Sequence, residues 1–144
     1  MRNNCIFCDI KQKGIIKEEQ ILEEGGAFSI LLSLHPATRG HSLIIPKEHY
    51  SSLAEIPEDL QGLLFSAAIR QGEKLKDRLG AKAYIVRAND ELYKLETGKG
   101  HIGHIHIHVI PRYSAGDNII DVPEIAELNK LKKAREEILG KYHG

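Results

Sequence analysis

The chain has 144 residues, a length that fits one domain around one hydrophobic core. Lys plus Arg equals Asp plus Glu at 20 each, so net charge gives no electrostatic case for binding nucleic acid or an anionic membrane, and the apolar runs are too short to span a bilayer. The opening Met1-Arg-Asn-Asn-Cys5-Ile-Phe-Cys8 lacks the apolar stretch of a secretory signal. A reducing, cytoplasmic location is expected, where Cys5 and Cys8 would not form a structural disulfide.

No repeat, low-complexity tract or linker interrupts the sequence, and residues 1–144 are expected to form a single domain. Residues 20–33 and 40–46 read as two strands, with turn formers between them from Pro36 to Gly40. Pro57 opens a helix, because the first helical position needs no amide donor. Leu60, Leu63, Leu64, Ala67, Leu75 and Leu79 follow at roughly helical spacing, and Gly80 stands where a C-terminal cap belongs. Residues 83–88 read as a strand, 90–100 as a polar loop, and 102–110 as the clearest strand in the chain. Pro123 is expected to start a final helix that buries Ile125, Leu128, Leu131 and Ile138 and turns its charges to solvent. The order β-β-α-β-β-α, without βαβ repeats, predicts an antiparallel α+β domain.

Residues 104–110 read His-Ile-His-Ile-His-Val-Ile. Strand side chains alternate between faces, so His104, His106 and His108 share one face at about 7 Å spacing, while Ile105, Ile107 and Val109 share the other. A neutral imidazole can attack phosphorus, and a neighbouring ring can hold a phosphate oxygen. Alternate histidines can also bind zinc, and the pattern alone leaves both chemistries open. Cys5 and Cys8 have the spacing that lets two thiolates bind one tetrahedral zinc, with two further ligands required. A redox dithiol is the rival reading, although its usual βαβ context is not read here.

Four passages together resemble the histidine triad (HIT) family, from Cys5 to Arg112. They are His104-Ile-His106-Ile-His108-Val-Ile-Pro-Arg, then Gly40-His41-Ser-Leu-Ile-Ile-Pro46-Lys47-Glu-His49-Tyr50, then Cys5-Ile-Phe-Cys8, and Asn89 after the Tyr84–Ala88 strand. The N-terminal pair resembles the zinc-containing branch. The resemblance implies a five-stranded antiparallel sheet with one long central helix and a C-terminal helix, usually in a homodimer. It implies attack on a purine nucleotide derivative: a dinucleoside polyphosphate, a phosphoramidate or an acyl-nucleotide. By this resemblance His106 is the nucleophile and forms a transient nucleotidyl-histidine. His108 holds the α-phosphate, His41 sits against the triad and assists it, and Asn89 donates to a phosphate oxygen. A structural zinc is held by Cys5, Cys8, His49 and His104, and no catalytic cofactor is implied.

The chain departs from the family pattern at the substrate end. Ser33 stands nearest to where many relatives carry an acid against the ribose. Gly100 and His101 stand where relatives carry Gln and then a small hydroxyl near the leaving group, and the loop from Asn89 to Gly98 is longer than usual. His101 can be read as an acid for the leaving group or as an exposed loop histidine. Three functions follow: a nucleotidyl hydrolase, a transferase using the same intermediate, and a zinc-stabilised nucleotide-binding module without turnover.

Overall fold

The structure is a computed structural model that describes residues 16–90, 104–120, 122 and 124–140. Cys5, Cys8, His101 and most of the 90–100 loop lie outside the described residues.

Among the described residues five strands and two α-helices are formed: β1 (Ile21–Glu24), β2 (Phe28–Leu32), β3 (Ser42–Pro46), α1 (Glu58–Leu79), β4 (Ala83–Ala88), β5 (Ile107–Arg112) and α2 (Leu128–Leu139). The sheet is antiparallel throughout, in the order β1-β2-β3-β5-β4. The single strand expected over 20–33 is two strands. Gly25 and Gly26 break it, and the Gly25 amide donates to the Phe28 carbonyl at 2.9 Å to close a hairpin.

The ladder fixes which residues share a face, because directly opposed residues point the same way. Leu31 opposes Leu43, Leu43 opposes His108, and His108 opposes Arg87. This row lies on one face. The neighbouring row of Leu32, Ser42, Val109 and Val86 lies on the other. That second face meets the helices. Ile30, Leu32, Ile44, Ile105, Ile107 and Val109 join Leu64, Ala67, Ala68 and Leu75 of α1 and Leu131, Ala134 and Ile138 of α2 in one core. Ile105, Ile107 and Val109 thus lie in the core as expected, and His108 lies on the opposite face of the sheet.

Helix α1 follows its predicted course. Pro57 stands just before it, and Gly80 ends it at φ +78°, with its amide donating to the Lys76 carbonyl at 3.2 Å. A left-handed cap of this kind favours glycine. Helix α2 begins at Leu128 and not at Pro123. The preceding chain is held instead by the loop after β2, where the Val122 amide donates to the His35 carbonyl at 3.3 Å and the Ala126 amide to the Leu34 carbonyl at 2.8 Å. Ile125 stays 67% exposed and Leu128 48% exposed, so neither joins the core as expected. Among the described residues no helix is long and apolar enough to cross a membrane.

Candidate active site

Residues 33–41 bend the chain from β2 into β3 and set His41 in place. Gly40 has φ +91°, and a Cβ there would stand 2.6 Å from Leu79 Cδ1. The close approach and the left-handed backbone both call for glycine. The loop is closed by the Ser33 amide on the His41 carbonyl at 2.9 Å and by the His41 amide on the Thr38 carbonyl at 3.1 Å. Thr38 Oγ1 then donates to the Pro111 carbonyl at 2.6 Å, which ties the loop to β5.

His41 is 1% exposed. Its Nδ1 lies 2.9 Å from the Ala37 amide, which can only donate, so Nδ1 must accept. The ring proton of neutral His41 is therefore on Nε2. That nitrogen lies 2.9 Å from His108 Nδ1 and donates to it. The proton of a neutral His108 ring is in turn placed on Nε2, where it can serve an external acceptor. The two ring centres are 5.2 Å apart, and His108 is buried.

His106 lies two residues before His108 on the same face, with the ring centres 4.9 Å apart. Its Nδ1 stands 3.0 Å from the His104 carbonyl. A carbonyl only accepts, so Nδ1 carries the proton and Nε2 carries the lone pair. His106 is only half-buried, which leaves the ring accessible from solvent.

His104 takes a different course from the other two histidines. β5 begins at Ile107, not at 102, because the β3 ladder ends at the Ile44–Ile107 pair. The preceding chain turns away, and the Ile105 amide donates to the Tyr50 carbonyl at 2.7 Å. His104 is buried with its Nε2 donating to the Pro46 carbonyl at 2.8 Å, and its ring meets His49 edge-on at 4.8 Å between centres. The evenly spaced row expected of the triad is thus divided into a His106–His108 pair and a His104–His49 pair. The second pair suits a metal. Bonding through Nε2 leaves His104 Nδ1 as its lone-pair nitrogen, beside a second imidazole. The described residues contain no cluster of three or more ligating side chains; Cys5 and Cys8 are not among them.

Ser33 is 4% exposed, and its Oγ accepts from the His35 amide at 3.1 Å. It sits at the end of β2, adjoining His41. Asn89 is exposed and follows Ala88, which opposes Ile107. That pair ends the β4–β5 ladder, so Asn89 follows β4 near the His106 end of the histidine face. Arg87 reaches that same face opposite His108. It carries no motif, and its one signal in the sequence is its place two residues before Asn89.

A segment after β5 closes over the β4 side. Arg87 Nη1 donates to the Ile119 carbonyl at 2.9 Å. The turn leading there is built on Asp117. Its carboxylate accepts from the Ser114 amide at 2.9 Å, from the Ser114 hydroxyl at 2.8 Å and from the Tyr113 amide. The Ser114 and Tyr113 amides hold this carboxyl below the usual carboxylate range. A cleft of about 510 Å³ lies between the 33–41 loop and α2, lined by Ser33, Thr38 and His41 with Lys130 and Ala134. His106 and His108 are not in its walls, and His41 stands between the cleft and His108.

The HIT domain model matches residues 16–115. An uncharacterized HIT-like protein of Methanocaldococcus jannaschii is 30% identical over 142 residues, covering 94% of this chain and 99% of that one. The adenosine 5'-monophosphoramidase of Saccharomyces cerevisiae is 28% identical over 142 residues, covering 97% and 84%. A zinc-bound histidine triad family protein from Mycobacterium smegmatis shares the fold with a TM-score of 0.74 at 23% identity, covering 96% of this chain and 94% of that one. The domain match and the five-stranded antiparallel sheet with its long central and C-terminal helices lead to one conclusion: this chain belongs to the HIT family.

Proposed function

We propose that the chain is a nucleotidyl hydrolase that cleaves a purine nucleotide derivative at its α-phosphate through a covalent intermediate on His106. One observation carries the reading. The His104 carbonyl holds the proton on His106 Nδ1, so Nε2 is the lone-pair nitrogen on an accessible ring. Attack by Nε2 forms an N–P bond as the bond to the leaving group breaks with its electron pair. Water then displaces the ring nitrogen, and hydrolysis is divided into two easier displacements. His108, oriented by His41, offers its Nε2 proton to a phosphate oxygen that gains charge in the transition state. Asn89 donates to the same phosphate. Ser33 lies on the ribose side, and His101 protonates the departing group. The kinship to a yeast phosphoramidase supports nucleotide chemistry of this class.

The proposal includes a structural zinc held by Cys5, Cys8, His49 and His104, in a single domain spanning 1–144 in a reducing cytoplasm. A closed four-ligand site of this kind would cross-link the N-terminus to the sheet and take no part in the reaction. It also includes a homodimer, supported by Leu63, Phe65 and Ile69 exposed on α1 and by β4 at a sheet edge.

The test is a rapid quench at neutral or alkaline pH during turnover, since a phosphohistidine bond is acid-labile. A nucleotide mass on the peptide containing His106 is expected. His106→Ala should remove nearly all turnover while nucleotide binding persists. Wild-type-like turnover by His106→Ala would refute the mechanism.

A further inference from the structure

We infer that Arg87 is a specificity residue that contacts an anionic leaving group and selects phosphoanhydride substrates over phosphoramidates. The inference rests on the proposed hydrolase reading and narrows its substrate class.

Position comes first. Arg87 directly opposes His108 in the β4–β5 ladder, on the histidine face. Side chains of such a pair start about 5 Å apart at Cβ. Across this face the sheet presents Ser33 at the end of β2, His41 just before β3, His108 on β5 and Arg87 on β4. With the ribose at Ser33 and the α-phosphate at His108, the substrate runs from β2 towards β5. The group leaving phosphorus then lies one strand further on, at β4. Arg87 occupies that place.

Chemistry comes second. A guanidinium is a permanent cation with five N–H donors in a planar fork that matches phosphate oxygens two at a time. Its Nη1 donates to the Ile119 carbonyl, which steadies the side chain where it stands half-buried. When His106 attacks a phosphoanhydride, the P–O electron pair passes to the departing phosphate, and negative charge grows at the position Arg87 faces. Water then adds its hydroxyl to phosphorus and the N–P pair returns to His106, with the water proton released. A phosphoramidate instead sheds an amine that takes up a proton and leaves uncharged or cationic. Arg87 gives that departure no comparable help, so the same scaffold discriminates by leaving-group charge.

The competing account is that Arg87 only braces the segment carrying Ile119. Arg87→Gln separates the two, because it removes the charge and keeps an N–H donor, and Arg87→Lys restores the charge without the fork. The experiment measures kcat/KM of wild type and both variants on a diadenosine polyphosphate and on adenosine 5'-phosphoramidate. It adds calorimetric affinities for ADP and AMP and a melting curve. For Arg87→Gln, the ratio of polyphosphate to phosphoramidate kcat/KM should fall about 10- to 100-fold, the worth of one charge-assisted contact. Any preference for ADP over AMP should shrink with it, and Arg87→Lys should recover part of both. Equal losses on the two substrates, or a lowered melting temperature with the ratio unchanged, would overturn the inference while leaving the hydrolase reading intact. If wild type turns over neither substrate yet its preference for ADP over AMP depends on Arg87, the phosphate contact stands and the hydrolase reading falls. Absence of nucleotide binding by wild type would end both.

Discussion

His41 Nε2 donates to His108 Nδ1 across 2.9 Å, and this single contact determines which nitrogen of His108 presents a proton to the substrate face. His41→Ala removes the donor and leaves a buried imidazole nitrogen without its partner. The ring of His108 is then free to exchange tautomers. The expected result is a fall in kcat of about 10²-fold, close to the cost of losing one preorganised oxyanion donor. His108→Ala should cost a similar factor and far less than His106→Ala. Steady-state rates, with nitrogen chemical shifts of His108 to identify its tautomer, check this. An unchanged tautomer in His41→Ala would separate His41 from the site.

Zinc content is the second test. Protein purified without chelator should carry about one zinc per chain by the four-ligand rule. Replacing Cys5 and Cys8 together by serine should abolish it and lower the melting temperature more than it lowers activity per folded molecule. Metal analysis beside thermal melting reads both effects. Retention of a full zinc equivalent by the double variant would exclude the cysteines as ligands.

Asp117 makes the turn after β5 sensitive to acid. Its folded pKa lies below the ordinary value of 3.8 because backbone amides of Ser114 and Tyr113 donate to the charged carboxylate. A depressed carboxyl contributes stability above its unfolded pKa and loses it as pH falls through the folded value. Amide protection at Tyr113 and Ser114 should therefore be full near neutrality and decline below about pH 4. Hydrogen exchange measured across that range should show the decline in wild type and a flatter profile in Asp117→Asn. The same acid-dependent loss in Asp117→Asn would assign it to another group.

Gly40→Ala tests the loop that delivers His41. The variant must strain a left-handed backbone and push against Leu79 and Leu75. A loss of about 1–3 kcal/mol is expected. Because Gly40 adjoins His41, activity should fall beyond what the folded fraction explains. Denaturant unfolding alongside rates per folded molecule resolves the two effects.

Much of this arrangement is readable in the sequence, and the exceptions have local causes. Period-two alternation sets His108 on one face and Ile107 and Val109 on the other because a strand permits only two directions for its side chains. Helix α1 is legible from Pro57 to Gly80, since both ends carry residues with distinct backbone needs. The β1–β2 hairpin is obscured because only Gly25 and Gly26 mark the turn inside a run of strand-forming residues. The start of α2 is misplaced because Pro123 permits a helix without requiring one, and amides at 122 and 126 bond the β2–β3 loop instead. The division of the triad and the place of Arg87 depend on where one strand stops pairing and which residue opposes which. Those are properties of register, and register is not written in any single segment.

The Ala37 amide that fixes the His41 tautomer belongs to the backbone, and that has a consequence for how the sequence can change. Every amino acid but one supplies the same N–H at that position. The side chain at position 37 can change, reshaping the surface beside the site, without removing the bond that starts the protonation order from the loop through His41 to His108. At that position constraint falls on the path of the chain and not on the identity of the residue. Proline at position 37 is the exception, since it has no amide proton to give.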